Sequence, residues 1–210
     1  MSAERTGCAG AILAGGQSSR MDGRSKALAP LAGQPMIQHV IERLRPQVNT
    51  LLVSIEAGTE EFDSLPYTLV EDLVPSHRGP LSGLYSVLQY MTDRLDATWL
   101  LLCPCDAPFV PAELGPTLLD AAMQGGTPVA VAAYDGQVQP TFSLWHRKTL
   151  DEVRVSVLQK GRGGLMEMCH RFPRATVQWP EQAPPPFFNV NTAEDLARAR
   201  AWLGGGDEEE

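Results

Sequence analysis

Short apolar runs alternate with amphipathic stretches along most of this chain. Continuous apolar runs predict buried strands at 8–13, 51–55, 67–70, 98–103, 129–134 and 141–145. Apolar side chains at helical spacing predict helices near 35–45, 80–91, 111–123, 148–157, 163–169 and 192–203. Strands that alternate with helices in this way are typical of a mostly parallel sheet covered on both faces. We therefore expect a three-layer α/β protein.

Length and composition limit the class of protein. The 210 residues fit one domain over 1–203, followed by a glycine-rich and acidic tail, 204–210, that we expect to be disordered. The net charge of -8 argues against general nucleic-acid binding, because affinity for phosphate backbones needs an excess of Lys and Arg. The sequence shows neither a bilayer-spanning apolar stretch nor a basic segment followed by an apolar run. We expect a cytoplasmic protein without a membrane partner.

The cysteines and histidines do not predict a metal site. Cys103 and Cys105 are separated by one residue, which is too close for most structural zinc sites, and Cys8 and Cys169 do not complete a set. We interpret the cysteines as core thiols in a reducing compartment. His39 is predicted to lie on the surface of its helix.

A glycine-rich loop follows the first strand. Gly15 and Gly16 allow close approach of the backbone to a phosphate, and Arg20 and Lys26 supply positive charge. The spacing fits neither a P-loop nor a dinucleotide-binding fingerprint. By itself the loop favours equally a nucleoside triphosphate site and a solvated surface turn.

Polar residues end several of the predicted strands. Ser54, Asp72 and Asp106 each lie at such an end, and ligands of open α/β sheets bind at the carboxyl ends of the strands. Asp106, in a proline-braced turn, is our candidate magnesium ligand, since hard cations prefer carboxylates. Its alternative role is a helix cap. Gly79 and Gly83 flank a helix start that either seats a ligand or simply caps the helix.

Other segments are candidates for contact with a second substrate. Thr192 and Asp195 form a capping-box-like helix start, which explains Thr192 but not the two asparagines before it. A glycine-rich basic loop near 160–164 and a polar segment near 139–141 are weaker signals. The residues predicted on this side are Gln139, Lys160, Arg162, Asn189 and Asn191.

Taken in order, these motifs resemble molybdenum cofactor guanylyltransferases from Ala9 to about Leu203. The matching segments are LAGG at 13–16, RM at 20–21 with Lys26, VED at 70–72, GPLSG at 79–83, CPCDAP at 103–108 and NVNT at 189–192. The chain departs from the family at Ser54, where asparagine is frequent, and at Asp22, where glycine is common.

The resemblance implies a Rossmann-like nucleotidyltransferase fold and transfer of GMP from GTP to molybdopterin with Mg²⁺, releasing pyrophosphate. It implies that Arg20, Lys26 and Asp106 are catalytic and that Asp106 binds the metal. Proteins of cofactor biosynthesis or molybdoenzyme maturation are further candidate partners. The predicted GTP contacts are Leu13, Ala14, Gly15, Gly16, Lys26, Ser54, Asp72, Gly79, Gly83 and Asp106.

Two alternatives stay open at this point. A cytidylyltransferase or sugar-phosphate nucleotidyltransferase would share the first loop and Asp106, and base selectivity would distinguish it. A non-catalytic nucleotide-binding or adaptor protein would not release pyrophosphate.

Overall fold

A computed structural model of the chain describes residues 7–15, 20–21, 24–74, 79–160 and 164–204. Its strands are β1 (Cys8–Leu13), β2 (Arg20–Met21), β3 (Arg24–Ser25), β4 (Pro30–Leu31), β5 (Gln34–Pro35), β6 (Thr50–Ile55), β7 (Thr68–Glu71), β8 (Trp99–Pro104), β9 (Val129–Tyr134), β10 (Gln137–His146) and β11 (Arg174–Gln178). Its α-helices are α1 (Met36–Leu44), α2 (Pro80–Arg94), α3 (Leu114–Gly125), α4 (Leu150–Val155), α5 (Leu165–His170) and α6 (Ala193–Trp202).

The main sheet has seven strands in the order β11-β9-β10-β8-β1-β6-β7. β1 lies between β6 and β8 and pairs with both in parallel. β10 is antiparallel to its neighbours β8 and β9, whereas β11 is parallel to β9 and β7 is parallel to β6. The predicted mostly parallel α/β sheet is therefore confirmed.

Both faces of this sheet are covered by helices. Ile12, Val53 and Leu101 face a core that includes side chains of α1 and α3. The alternate residues of the same strands, among them Ala11 and Leu52, face a second core that includes α2, α4 and α5. Because successive side chains of a strand point to opposite faces, strands buried on both faces must be continuously apolar, which explains the runs in the sequence.

The structure corrects several predicted elements. α3 begins at Leu114, because the Gly115 N–H donates to the distant Gln47 Oε1 at 2.7 Å, a partner that local sequence does not reveal. Gln139 was expected before the strand, but β10 already begins at Gln137. A tight turn at Asp135 and Gly136, both with positive φ, joins β10 to β9 and lets the two strands pair from there. The missed strand β11 lies at the edge of the sheet and is half-exposed, so it lacks an apolar run.

His39 was expected on the helix surface, and that prediction was wrong. Its side chain is buried, and its Nε2 lies 2.8 Å from the Leu31 carbonyl oxygen, because β4 and β5 form a short hairpin beside α1. Over the part of the chain that the structure describes, none of the helices is both long and apolar enough to cross a membrane.

The central strands should dominate stability. Leu101 in β8 is fully buried, so Leu101→Ala should lower the free energy of unfolding by about 2–5 kcal/mol through lost burial and the cavity left behind. Leu158, which is 50% exposed, provides the matched control, and Leu158→Ala should cost less than about 0.5 kcal/mol. Urea denaturation measures both, and equal losses would contradict this assignment of the core.

Candidate functional site

The parallel strands bring their carboxyl ends to one edge of the sheet. Leu13 of β1 lies opposite Ser54 of β6 on one side and Pro104 of β8 on the other. Beyond the paired residues, the Cys105 N–H donates to the Leu13 carbonyl oxygen at 3.1 Å. The Asp72 N–H donates to the Ile55 carbonyl oxygen at 2.9 Å. These bonds fix Asp72 and the residue before Asp106 against neighbouring strand ends.

A small pocket, open to solvent, lies at this edge beside the start of α2. Six residues predicted to contact a nucleotide line it together with Pro80, which the sequence analysis missed although it lies inside the GPLSG segment. The lining residues are Leu13, Gly15, Ser54, Asp72, Gly79, Pro80 and Gly83. Ala14 does not line the pocket; it is buried, and its N–H donates to the Ser54 carbonyl oxygen at 2.8 Å.

Two glycines allow close approaches around this pocket. A Cβ on Gly83 would lie 2.6 Å from Leu13 Cδ2 and 2.9 Å from Ser54 Oγ. A Cβ on Gly15 would lie 3.0 Å from the backbone nitrogen of Glu56. Glycine at these positions therefore lets the first turn of α2 and the loop after β1 pack directly against the strand ends.

Asp72 is the ionisable group of this pocket. Ser54 Oγ donates to Asp72 Oδ1 at 3.2 Å. Burial raises the pKa of the Asp72 carboxyl to about 6; the hydrogen bond from Ser54 opposes this shift and the negative charge of Glu56 adds to it. At neutral pH the group is therefore a carboxylate, and it presents acceptor lone pairs to a ligand with N–H donors.

The segment after Asp72 is attached to α2. The Leu73 N–H donates to Ser86 Oγ at 2.9 Å, and this hydroxyl in turn donates to the Ser82 carbonyl oxygen at 2.9 Å. Asp72 is thus held by β6 on one side and by α2 on the other.

A second polar group contains Lys26, Asp106 and Asn191. Lys26 begins a 3₁₀ turn, is only 6% exposed, and its Nζ donates to Asn191 Oδ1 at 3.0 Å. Burial raises the pKa of the Asp106 carboxyl, and the nearby positive charge of Lys26 acts in the opposite direction. The Val190 N–H donates to the Asp106 carbonyl oxygen at 2.8 Å. Lys26 is therefore not a solvated surface cation.

The two predicted asparagines differ in their surroundings. Asn191 holds Lys26, as described above. The buried Oδ1 of Asn189 has no hydrogen-bond partner among the described residues, so an oxygen acceptor is left over one residue before Val190, whose N–H donates to the Asp106 backbone. The predicted capping box of Thr192 and Asp195 at the start of α6 is confirmed.

Gln139 lies at the same edge of the sheet, because β10 runs antiparallel to β8 and its first residues reach the carboxyl end of that strand. Its Nε2 donates to the Gln137 carbonyl oxygen at 3.4 Å. The predicted residues Gly16 and Arg162 and the side chains of Arg20 and Lys160 lie outside the described residues, so their roles stay predictions.

The described residues hold no cluster of three or more His, Cys, Asp or Glu side chains that would bind a metal by themselves. The cysteines are free thiols; Cys103, Cys105 and Cys169 are buried and Cys8 is half-buried. Burial raises the pKa of the Cys169 thiol to about 11, so at neutral pH it is a neutral thiol and not a reactive thiolate.

Known proteins resemble this chain along most of its sequence. The chain matches a protein family described as the MobA-like NTP transferase domain over residues 10–200. A molybdenum cofactor guanylyltransferase of Rhodopseudomonas palustris is 36% identical over 189 residues, which cover 90% of this chain and 90% of the relative.

Two solved structures share the fold. Molybdopterin-guanine dinucleotide biosynthesis protein A from Archaeoglobus fulgidus has a TM-score of 0.74 at 22% identity, covering 93% of this chain and 98% of that one. A protein from Mycobacterium tuberculosis, solved in complex with manganese, has a TM-score of 0.67 at 20% identity, covering 93% and 98% of the two chains.

The hydrogen bond from Ser54 should be measurable in the titration of Asp72. Ser54→Ala removes a donor to the charged form of Asp72, so the pKa of this carboxyl should rise above its value of about 6 in the parent protein. Carboxyl ¹³C chemical shifts followed against pH, with Asp72→Asn to assign the signal, measure the change. Ser156→Ala, at another buried serine, should leave the titration unchanged, and a lowered Asp72 pKa in Ser54→Ala would refute this description.

Proposed function

Because this chain belongs to the family of MobA-like NTP transferases, we propose that it transfers GMP from GTP to molybdopterin. The products are the guanine dinucleotide form of the cofactor and pyrophosphate. The observation that carries the proposal is that the pocket with Asp72 and the second polar group with Lys26 and Asp106 lie at the same edge of the sheet, at the positions of the family motifs.

Guanine would be recognised in the pocket between the strand ends and α2. Its N1–H and its N2 amino group are adjacent donors, and the Asp72 carboxylate offers two oxygens to accept from them. Cytosine and uracil do not present this pair of donors. A half-buried acceptor that loses its partners is costly, so Asp72 favours guanine and also disfavours the pyrimidines.

The triphosphate would lie toward Lys26 and the glycine loop. The Lys26 ammonium has three N–H donors, and its bond to Asn191 leaves two of them for phosphate oxygens. Because Lys26 is buried, its charge is poorly screened by water and its attraction for phosphate is correspondingly larger. Arg20 and the N–H groups of Gly15 and Gly16 are proposed as further phosphate contacts.

The donor set around Asp106 fits a magnesium ion that is shared with substrate. Asp106 is a half-buried carboxylate, and Asn189, which precedes the residue bonded to the Asp106 backbone, supplies a second oxygen that has no partner among the described residues. Mg²⁺ commonly takes one or two carboxylates and completes its shell with phosphates and water, so a larger protein cluster is not needed. When bound, the ion would neutralise phosphate charge.

Transfer requires a phosphate oxygen of molybdopterin to attack the α-phosphorus of GTP, and both groups are anionic. The residues of this chain mainly position the reactants and offset their repulsion. Lys26 is held in place before reaction, so little reorganisation is needed as charge develops on the leaving pyrophosphate. Gln139, Asn189 and Asn191, with Lys160 and Arg162, are proposed to face molybdopterin.

Nucleotide selectivity tests the guanine assignment. With Mg²⁺ present, GTP should bind at least about tenfold more tightly than CTP or UTP, since lost contacts of this kind cost ~1–3 kcal/mol each. In Asp72→Asn, an NH₂ donor replaces one acceptor oxygen of the side chain. This variant should therefore bind xanthosine triphosphate, which carries a carbonyl at C2, better than GTP. Isothermal calorimetry measures each affinity.

The control is the neighbouring exposed carboxylate, Glu71, whose replacement by Gln should leave selectivity unchanged. Equal affinities of the parent protein for all the nucleotides would exclude the guanylyl assignment and favour the other nucleotidyltransferases.

Asp106→Asn tests the metal site. The amide keeps the size of the side chain but removes its charge, so GTP should still bind while pyrophosphate release in the presence of molybdopterin falls by about 10²–10⁴-fold. Asp120→Asn, at an exposed carboxylate of α3, should retain activity. Normal turnover of Asp106→Asn at the same Mg²⁺ concentration would show that Asp106 is only a turn residue.

A further inference from the structure

Asp195, at the start of α6, has more partners than a helix cap requires. Its Oδ2 accepts from the Thr192 N–H at 3.0 Å and from Thr192 Oγ1 at 2.9 Å, and the Asp195 N–H donates to Thr192 Oγ1 at 3.1 Å. The same Oδ2 also accepts from the Asn191 N–H at 3.1 Å. Asn191 precedes the capping residue and is the residue whose side chain holds Lys26.

We propose that Asp195 is a positioning residue for nucleotidyl transfer. By fixing the backbone of Asn191, it places the side-chain Oδ1 of Asn191 that accepts from the Lys26 ammonium, and it thereby sets where Lys26 faces the phosphates. The identity of the phosphates in this inference rests on the proposed function. The link between Asp195 and Lys26 does not, because it follows from the hydrogen bonds alone.

The segment that Asp195 fixes is also attached to the elements carrying Lys26 and Asp106. The Val190 N–H donates to the Asp106 carbonyl oxygen, and Val190 packs with Phe109 and with Ala199 of α6. Arg200 Nη2, farther along α6, donates to the Pro30 carbonyl oxygen at 3.2 Å, four residues after Lys26. α6 and the segment before it thus contact the segment that follows Lys26 and the segment that carries Asp106.

Lys26 needs such a support because two acceptors compete for it. A lysine side chain has many rotamers and a freely rotating ammonium, so its charge is placed only if a partner is itself fixed. Asp106 is close enough for Lys26 to affect its pKa, and a direct pair between them would consume the charge of both groups. A fixed neutral acceptor, Asn191, keeps the ammonium available to phosphate.

The test separates capping from positioning. Asp195→Ala removes both the capping box with Thr192 and the acceptor of the Asn191 N–H. Thr192→Ala removes only the capping hydroxyl, so the Asp195 carboxylate can still accept from the Asn191 N–H. Asp195→Glu is the conservative rescue, because glutamate is the usual partner in capping boxes. Asp151→Ala is the matched control, since Asp151 and Asp195 both lie in the first turn of a helix and each pairs with an arginine three residues later, Arg154 and Arg198 respectively.

The readouts are the affinity for GTP with Mg²⁺, pyrophosphate release, and the melting temperature. Asp195→Ala should weaken GTP binding about tenfold, Asp195→Glu should restore it to within about threefold, and Thr192→Ala should lower the melting temperature with affinity within about twofold. Asp151→Ala should match the parent protein in affinity. If Asp195→Ala does not fold, Asp195→Ser takes its place with the same expected loss, because its shorter polar side chain does not reach the Asn191 N–H.

A double-mutant comparison decides whether the effect passes through Lys26. On a Lys26→Met background, Asp195→Ala should change GTP affinity by less than about twofold, because the group that Asp195 positions is already gone. An equal loss on both backgrounds, or parent-like affinity of Asp195→Ala, would overturn the inference. Absence of pyrophosphate release by the parent protein would instead refute the proposed function, while the coupling in GTP affinity would still be measured.

Discussion

The candidate site depends on the parallel pairing of β1 between β6 and β8. This pairing places Leu13 opposite both Ser54 and Pro104, so residues that are far apart in sequence leave the sheet at the same edge. An antiparallel neighbour on either side of β1 would have placed Asp72 or Asp106 at the opposite edge. The antiparallel strand β10 comes only beyond β8, and there it brings Gln139 to the same edge.

The polar groups gathered at this edge lower the stability of the fold. Burial raises the pKa of Asp72 to about 6, so between its ordinary value near 3.9 and this value the unfolded chain binds fewer protons than the folded chain. This contribution to stability is complete below the lower value and is lost as the pH rises toward 6. At neutral pH the fold therefore holds a carboxylate that would be better solvated in the unfolded chain, and a ligand that donates to Asp72 offsets this cost.

Residues of the candidate site could be predicted where their position follows from a strand end. Ser54, Asp72 and Asp106 belong to this class. A continuous apolar run identifies each strand, and parallel strands end at the same edge of the sheet. The link between Lys26 and Asn191 could not be predicted, since it joins residues 165 positions apart through side-chain packing. The burial of His39 was missed for a similar reason: its partner, Leu31, lies in a hairpin too short to leave a periodic pattern.

The departure at Ser54 has a physical explanation in the packing around it. Ser54 is 1% exposed, and its hydroxyl would lie 2.9 Å from a Cβ on Gly83, so the space between β6 and α2 is already filled. The hydroxyl still donates to Asp72, which is the hydrogen bond that a longer amide side chain would also provide. A serine offers one donor where an amide offers two, so more of the Asp72 carboxylate stays available to a ligand. Ser54 therefore orients Asp72 through one hydrogen bond and leaves the rest of the carboxylate to the donors of a ligand.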